Sequence, residues 1–277
     1  MIFGLVLLGV LAVLVLLYTL NNAARFYMRC TLFYFCIFLN GVVTCVTGIP
    51  FTFFGMAGQV GMISMRILSM WTGATIEVRD FDRVYSKQTT PCVVLCNHQS
   101  ALDIMLMGHT FPPRGTVMMK RSLAYIPLFN FACWLCDAIF VDRFNRERAQ
   151  MAVKQCTDAL TKKNLKLWVF PEGTRNIGGM IPFKKGAFNI AVDAQIPIVP
   201  MVASSYAEFF DPEIKRFDSD GEIICQILDP IPTKGLTLDD VPALVESTRE
   251  KMMATFDKLT VEANARMAAK RGSKKTQ

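Results

Sequence analysis

From Met1 to Ile76 the chain has no aspartate, glutamate or lysine, and only Arg25, Arg29 and Arg66 carry charge there. A stretch so poor in charge cannot make an ordinary water-facing surface, so it points to a membrane component. Its opening, "MIFGLVLLGVLAVLVLLYTL", is nearly unbroken apolar sequence. That length is close to the ~20 residues needed to cross a bilayer as a helix. The apolar core exceeds the ~7–15 residues of a signal sequence and has no charged side chain before it, which favours a retained anchor over a cleaved leader. A second uncharged stretch lies between Arg29 and Arg66, interrupted by Gly41, Gly48, Pro50 and Gly55. It could cross the bilayer, or form a broken, re-entrant or interfacial segment. Arg25 and Arg29, following the first segment, direct that connection toward the cytosol.

From about residue 74 the pattern changes to alternating strands and helices. "ATIEVRD", "CVVLCN", "TVMMK", "AIFVDR", "LKLWVF", "PIVPMVA" and "EIICQIL" read as strands. Helices are expected over "QSALDIMLMGH", "LFNFACWLC" (as a buried helix), "RERAQMAVKQCTDALTKK" and "GAFNIAVDAQ", with a long one from about Asp239 to Lys270. The expected fold class is α/β, a largely parallel central sheet flanked by helices and preceded by hydrophobic membrane helices. The expected layout is a membrane-embedded part over residues 1–72, an α/β domain over 73–270 and a basic tail over 271–277.

Charge and cysteine content narrow the partners. The formal net charge of +7 favours anionic ligands or anionic lipid surfaces, and no nucleic-acid motif accompanies it. The odd count of nine cysteines argues against a full set of internal disulfides. The lone "CWLC" pair, Cys133 and Cys136, sits in apolar sequence and reads as buried thiol, so no metal site is expected.

Ionisable residues collect where the strands end, which is where open parallel sheets place their sites. His98 follows "VVLCN", Lys120 follows "TVMM", Asp142 and Arg143 follow "AIFV", and Glu172 and Arg175 follow "LWVF". Asp103 stands five positions after His98. On one regular helix such a pair would point about 140° apart. The two can meet only if His98 precedes the helix and Asp103 lies in its first turns. They could then act as a general base and its orienter, or be merely a helix cap and a surface polar residue. No G-x-S-x-G elbow supplies an enzymic nucleophile, so the missing third member of a triad could be a substrate hydroxyl. In "FPEGTRN", Gly173 permits a tight turn and Arg175 offers a planar fork for phosphate oxygens. Lys184 and Lys185, just before a helix, add to the anion-friendly neighbourhood. His109, at the end of a helix, has no assigned role.

These motifs resemble those of the 1-acylglycerol-3-phosphate acyltransferases of the glycerolipid acyltransferase superfamily, in particular the animal membrane type. "NHQSALD" is similar to the first family motif, "IFVDR" to the second with Val141 for the usual Ile, "FPEGTRN" to the third and "IPIVPMV" to the fourth, in the family order. The resemblance implies that His98 is a general base supported by Asp103. It implies that Lys120, Arg143 and Arg175 hold a glycerol phosphate, with Glu172, Gly173 and Thr174 shaping the loop. It further implies acyl-CoA and lysophosphatidate as substrates, phosphatidate and CoA as products, no cofactor, and residence in the endoplasmic reticulum membrane. A related enzyme acting on glycerol 3-phosphate or another lysophospholipid shares these motifs, and a non-enzymatic membrane scaffold on the same fold is the remaining alternative.

Overall fold

In the computed structural model, the structure describes residues 2–81, 91–126, 128–141 and 146–275. The apolar N-terminal sequence forms three helices, α1 (Ile2–Leu20), α2 (Asn22–Thr52) and α3 (Ala57–Leu68). Asn21 divides the first two by capping α2, accepting the Ala24 N–H at 2.9 Å. The second stretch is one long helix that runs through Gly41, Gly48 and Pro50, and the chain turns only at Gly55, with φ of 65°. Pro50 lies inside α2 two residues before its end, so the helix gives up one N–H···O=C bond there and stops shortly after. Among the described residues, α2 is the one helix long and apolar enough to cross a membrane by length and composition.

Small residues let these helices approach closely. A Cβ on Gly61 would sit 2.8 Å from Thr44 Oγ1, so α3 lies tight against α2. Gly58 packs on Phe111 in the same way. The N-terminal half of α2 also meets the rest of the chain. Buried Arg29 donates to the Thr72 carbonyl at 2.7 Å, and its guanidinium lies 4.6 Å from the centre of the Phe217 ring.

The remaining elements are β1 (Thr75–Arg79), β2 (Cys92–Cys96), α4 (Asp103–Thr110), β3 (Gly115–Lys120), α5 (Phe129–Leu135), β4 (Ile139–Val141), α6 (Arg146–Lys163), β5 (Lys166–Val169), α7 (Gly186–Asp193), β6 (Ile198–Ala203), β7 (Phe210–Asp211), β8 (Arg216–Phe217), β9 (Glu222–Ile227) and α8 (Val241–Lys275). Seven strands form one sheet in the order β1-β9-β6-β2-β5-β3-β4, while β7 and β8 make a separate hairpin. Every neighbouring pair in the large sheet is parallel except β6 with β9.

Strand β2 shows why the sheet is covered on both faces. All five of its residues are fully buried. Cys92, Val94 and Cys96 face one core with Met105, Leu106 and Phe209, whereas Val93 and Leu95 face another with Phe188, Phe256 and Leu259. The strand alternates between two apolar layers and therefore reads as a continuous apolar run. The first layer is roofed by α4 and the N-terminal helices, the second by α6, α7 and α8.

Two expectations need correction. The segment "LFNFACWLC" is not a buried helix throughout: Ala132, Cys133 and Leu135 are buried, but Phe131 and Trp134 are exposed, Trp134 to 67%. The last helix, expected to end at about Lys270, continues through Lys275, and on its added turn Arg271 donates to Asp220 at 2.7 Å. Upstream on the same helix, Arg266 pairs with Glu77 and Glu262 with Arg79, tying α8 to the β1 edge.

Candidate active site

The site forms where β2, β5 and β6 end. Leaving β2, Asn97 turns its side chain to the end of β6, accepting the Ala203 N–H at 2.8 Å and donating to the Ala203 carbonyl at 3.0 Å. Gln99 donates to the Ser204 carbonyl at 2.8 Å and accepts the Tyr206 N–H at 3.0 Å. Two buried amides thus pin the loop on either side of His98 and fix its direction.

His98 stands before α4, and Asp103 is the first residue of that helix. Their side chains meet, with His98 Nδ1 2.7 Å from Asp103 Oδ2. The same carboxylate oxygen accepts the Gln99 N–H at 2.9 Å and the Ser100 N–H at 3.2 Å. Asp103, itself buried, thus holds the imidazole and also satisfies loop amides at a helix start. Ser100 accepts the Leu102 N–H at 3.0 Å and so supports the turn. In the tautomer that directs Nδ1–H at Asp103, the lone pair of the ring lies on Nε2. The ring stacks on Phe170, with centroids 4.1 Å apart.

The loop after β5 grips the main chain of His98. Glu172 Oε1 accepts the His98 N–H at 2.9 Å, and the Asn176 N–H donates to the His98 carbonyl at 2.9 Å. Glu172 is 1% exposed, and burial pushes its carboxyl up to about 7, against the lowering effect of the N–H groups of His98 and Ile181. Gly173 has φ of 70°, and a Cβ there would lie 2.9 Å from Lys184 Nζ. The turn thus needs glycine for its backbone angle, and the end of the Lys184 side chain passes close over it. Thr174 and Arg175 are exposed at the rim beside it.

The structure brings His98, Asp103, Glu172, Gly173 and the Lys184 side chain into one place. Arg143 lies outside the described residues, as does the side chain of Lys120, whose backbone ends β3. His109 sits at the far end of α4 and is held below the ordinary histidine range by burial and by Arg66. Burial pushes the Cys133 and Cys136 thiols up to about 12, so neither is a thiolate at neutral pH.

Sequence reasoning quoted Asn97 and Gln99 without giving them roles, and missed Tyr206. Tyr206 is fully buried, and burial first and the Asp103 carboxylate next raise its hydroxyl well above the phenolic range. Neither its Oη nor Oδ1 of Asp103 has a hydrogen-bond partner among the described residues. Only the polar pair "NQ" around the histidine signalled this layer, since a buried amide must find partners.

The acyltransferase family matches residues 75–204, which contain His98, Asp103, Glu172 and Lys184. The chain is 47% identical to a Caenorhabditis elegans protein named as a 1-acyl-sn-glycerol-3-phosphate acyltransferase (acl-2), over 96% of this chain and 94% of that one. It is 36% identical to the human 1-acyl-sn-glycerol-3-phosphate acyltransferase beta, over 89% of this chain and 88% of the relative. The fold is similar to the crystal structure of the 1-acyl-sn-glycerophosphate (LPA) acyltransferase PlsC of Thermotoga maritima, with TM-score 0.59 and 23% identity, covering 87% of this chain and 95% of that one.

Proposed function

Within the 1-acyl-sn-glycerol-3-phosphate acyltransferase family, to which this chain belongs, we propose that it transfers an acyl group from acyl-CoA to the sn-2 hydroxyl of 1-acyl-sn-glycerol 3-phosphate. The products are phosphatidate and free CoA, and the reaction serves phospholipid and triacylglycerol synthesis at the endoplasmic reticulum membrane. The observation that carries this reading is the His98–Asp103 pair, 2.7 Å apart, with Nε2 left free beside a loop that bears cations.

An alcohol is a poor nucleophile at neutral pH and needs a positioned base. His98 Nε2 takes the proton of the acceptor hydroxyl as that oxygen attacks the thioester carbon. Asp103 keeps the ring in the required tautomer and stabilises the imidazolium that forms. Collapse of the tetrahedral intermediate breaks the carbon–sulfur bond, and the proton passes from His98 to the departing CoA sulfur. Arg175, together with Lys120 and Arg143, binds the acceptor phosphate, and Lys184 adds a fourth cation. Glu172, Gly173 and Thr174 hold the loop that presents Arg175. The chemistry calls for no metal and no bound redox cofactor.

The test is turnover of oleoyl-CoA with lysophosphatidate by the wild-type enzyme and by His98→Ala in membranes. We expect the variant to lose at least ~100-fold in acyl transfer, the scale of a general base. Turnover near the wild-type rate would overturn the mechanism. A preference for glycerol 3-phosphate or lysophosphatidylcholine in the same assay would overturn the acceptor assignment while leaving acyl transfer in place.

A further inference from the structure

The crossover from β3 to β4 leaves the sheet at Lys120 and returns at Ile139, and between Ser122 and Cys136 it carries no charged residue. An apolar segment of this kind would normally face inward. Here Tyr125 is 75% exposed, Trp134 67%, Ile126 48%, Leu128 47% and Phe131 40%. Phe131 and Trp134 stack face to face, with centroids 5.8 Å apart. Isolated exposed apolar side chains are ordinary, but a contiguous aromatic and aliphatic patch marks a contact surface.

The patch adjoins the membrane-seeking part of the molecule. The Cys45 thiol of α2 donates to the Leu128 carbonyl at 3.3 Å. A Cβ on Gly48 of α2 would lie 3.4 Å from Leu135. On the same half of the N-terminal hairpin, Phe51, Phe53, Phe54 and Met56 are exposed as well, Phe53 to 90%. The two apolar surfaces are therefore continuous. Tyr and Trp with an adjacent basic residue, here exposed Arg121, are the side chains that settle at the lipid headgroup level.

We propose that residues 121–126 and α5 form a membrane-contacting element that rests on the same phospholipid surface as the end of α2. The inference rests on the membrane residence read above. It assigns the bilayer a side of the catalytic domain as well as an anchor. Because the element continues directly from β3, it sets lipid beside the strand ends that carry His98 and Glu172. An acceptor lipid could then reach the site from the bilayer without passing through water.

The test uses the full chain reconstituted in phosphatidylcholine vesicles and does not depend on turnover. The chain has three tryptophans, of which Trp168 is buried and Trp71 half-buried. The emission difference between wild type and Trp134→Phe isolates Trp134. We expect brominated phosphatidylcholine to quench that component by at least about half, and aqueous iodide to leave it largely unchanged. Quenching by iodide instead would mean a water-facing patch, and resistance to both quenchers would mean cover by protein, such as a second copy of the chain. Either result overturns the proposal. Tyr125→Trp gives the same readout as added emission where Trp134→Phe does not fold. Lipid quenching in an enzyme that proves inactive toward lysophosphatidate would sink the substrate assignment and leave this inference standing.

Discussion

His98 has one polar atom left without a partner among the described residues, Nε2. Its Nδ1 faces Asp103, its N–H donates to Glu172 and its carbonyl accepts from Asn176. Arg175 differs, standing exposed at the rim and held in place by the turn at Gly173. Among the described residues its guanidinium has no internal partner to give up when it closes on a ligand. Loss of a charge-assisted hydrogen bond to phosphate costs about 1.5–3 kcal/mol. Arg175→Ala should accordingly raise the Michaelis constant for lysophosphatidate by about tenfold or more, with a smaller effect on kcat. An unchanged Michaelis constant would remove Arg175 from the phosphate site. Glu172 yields a prediction about stability. Its folded pKa of about 7 lies above the ordinary carboxyl value of 4.5. The folded state thus binds this proton more tightly. The stabilisation is fully present below the unfolded pKa and is lost as pH rises through about 7. The thermal midpoint of the wild type should fall relative to that of Glu172→Gln between pH 5 and 8. Parallel midpoint curves for the two proteins would show that Glu172 does not titrate in this range.

At the scale of elements, the legible parts of the sequence were those with a local physical signature. β2 is an apolar run because both faces are covered, and His98 could meet Asp103 only from the loop before α4. The rest depended on tertiary context. β7 and β8, at two residues each, are too short to show any period. The antiparallel direction of β9 follows from topology, which pattern does not encode. Tyr206 lies three residues past β6, and only the fold sets it near Asp103. Gly41 and Gly48 looked like breaks in a membrane segment, yet α2 runs through both. Gly41 has open space around it, whereas Gly48 lies in contact distance of Leu135 and Ala57, and the tightest approach between the helices is at Gly61. Gly61 makes this testable, since its missing side chain is the space occupied by Thr44, whose hydroxyl is already tied to the Asn40 carbonyl at 2.8 Å. Gly61→Leu should wedge α3 from α2 and destabilise the protein by about 1–3 kcal/mol. Thermal unfolding in detergent would register this as a lower midpoint. A midpoint equal to the wild type would mean that the two helices are not packed this tightly in solution.

At the scale of the whole molecule, the three N-terminal helices are not equivalent. α2 and α3 are built into the α/β domain. Arg29 reaches Thr72, Gly58 meets Phe111, and Gly108 of α4 packs on the Met62 carbonyl. By contrast, α1 is exposed along nearly its whole described length and meets the rest of the molecule through α2, where Arg29 donates to the Tyr18 hydroxyl at 3.3 Å. Few buried contacts mean that little folding free energy is shared across that joint. A chain of Met followed by Asn21 onward keeps the α2 cap and should fold with a thermal midpoint within about 2 °C of the full protein in detergent. It should also still float with phospholipid vesicles, because the exposed apolar faces of α2 and α3 remain. Unfolding of the shortened chain would show that α1 is part of the cooperative unit. Complete loss of vesicle binding with the fold intact would make α1 the whole anchor and leave the apolar faces of α2 and α3 without a membrane role.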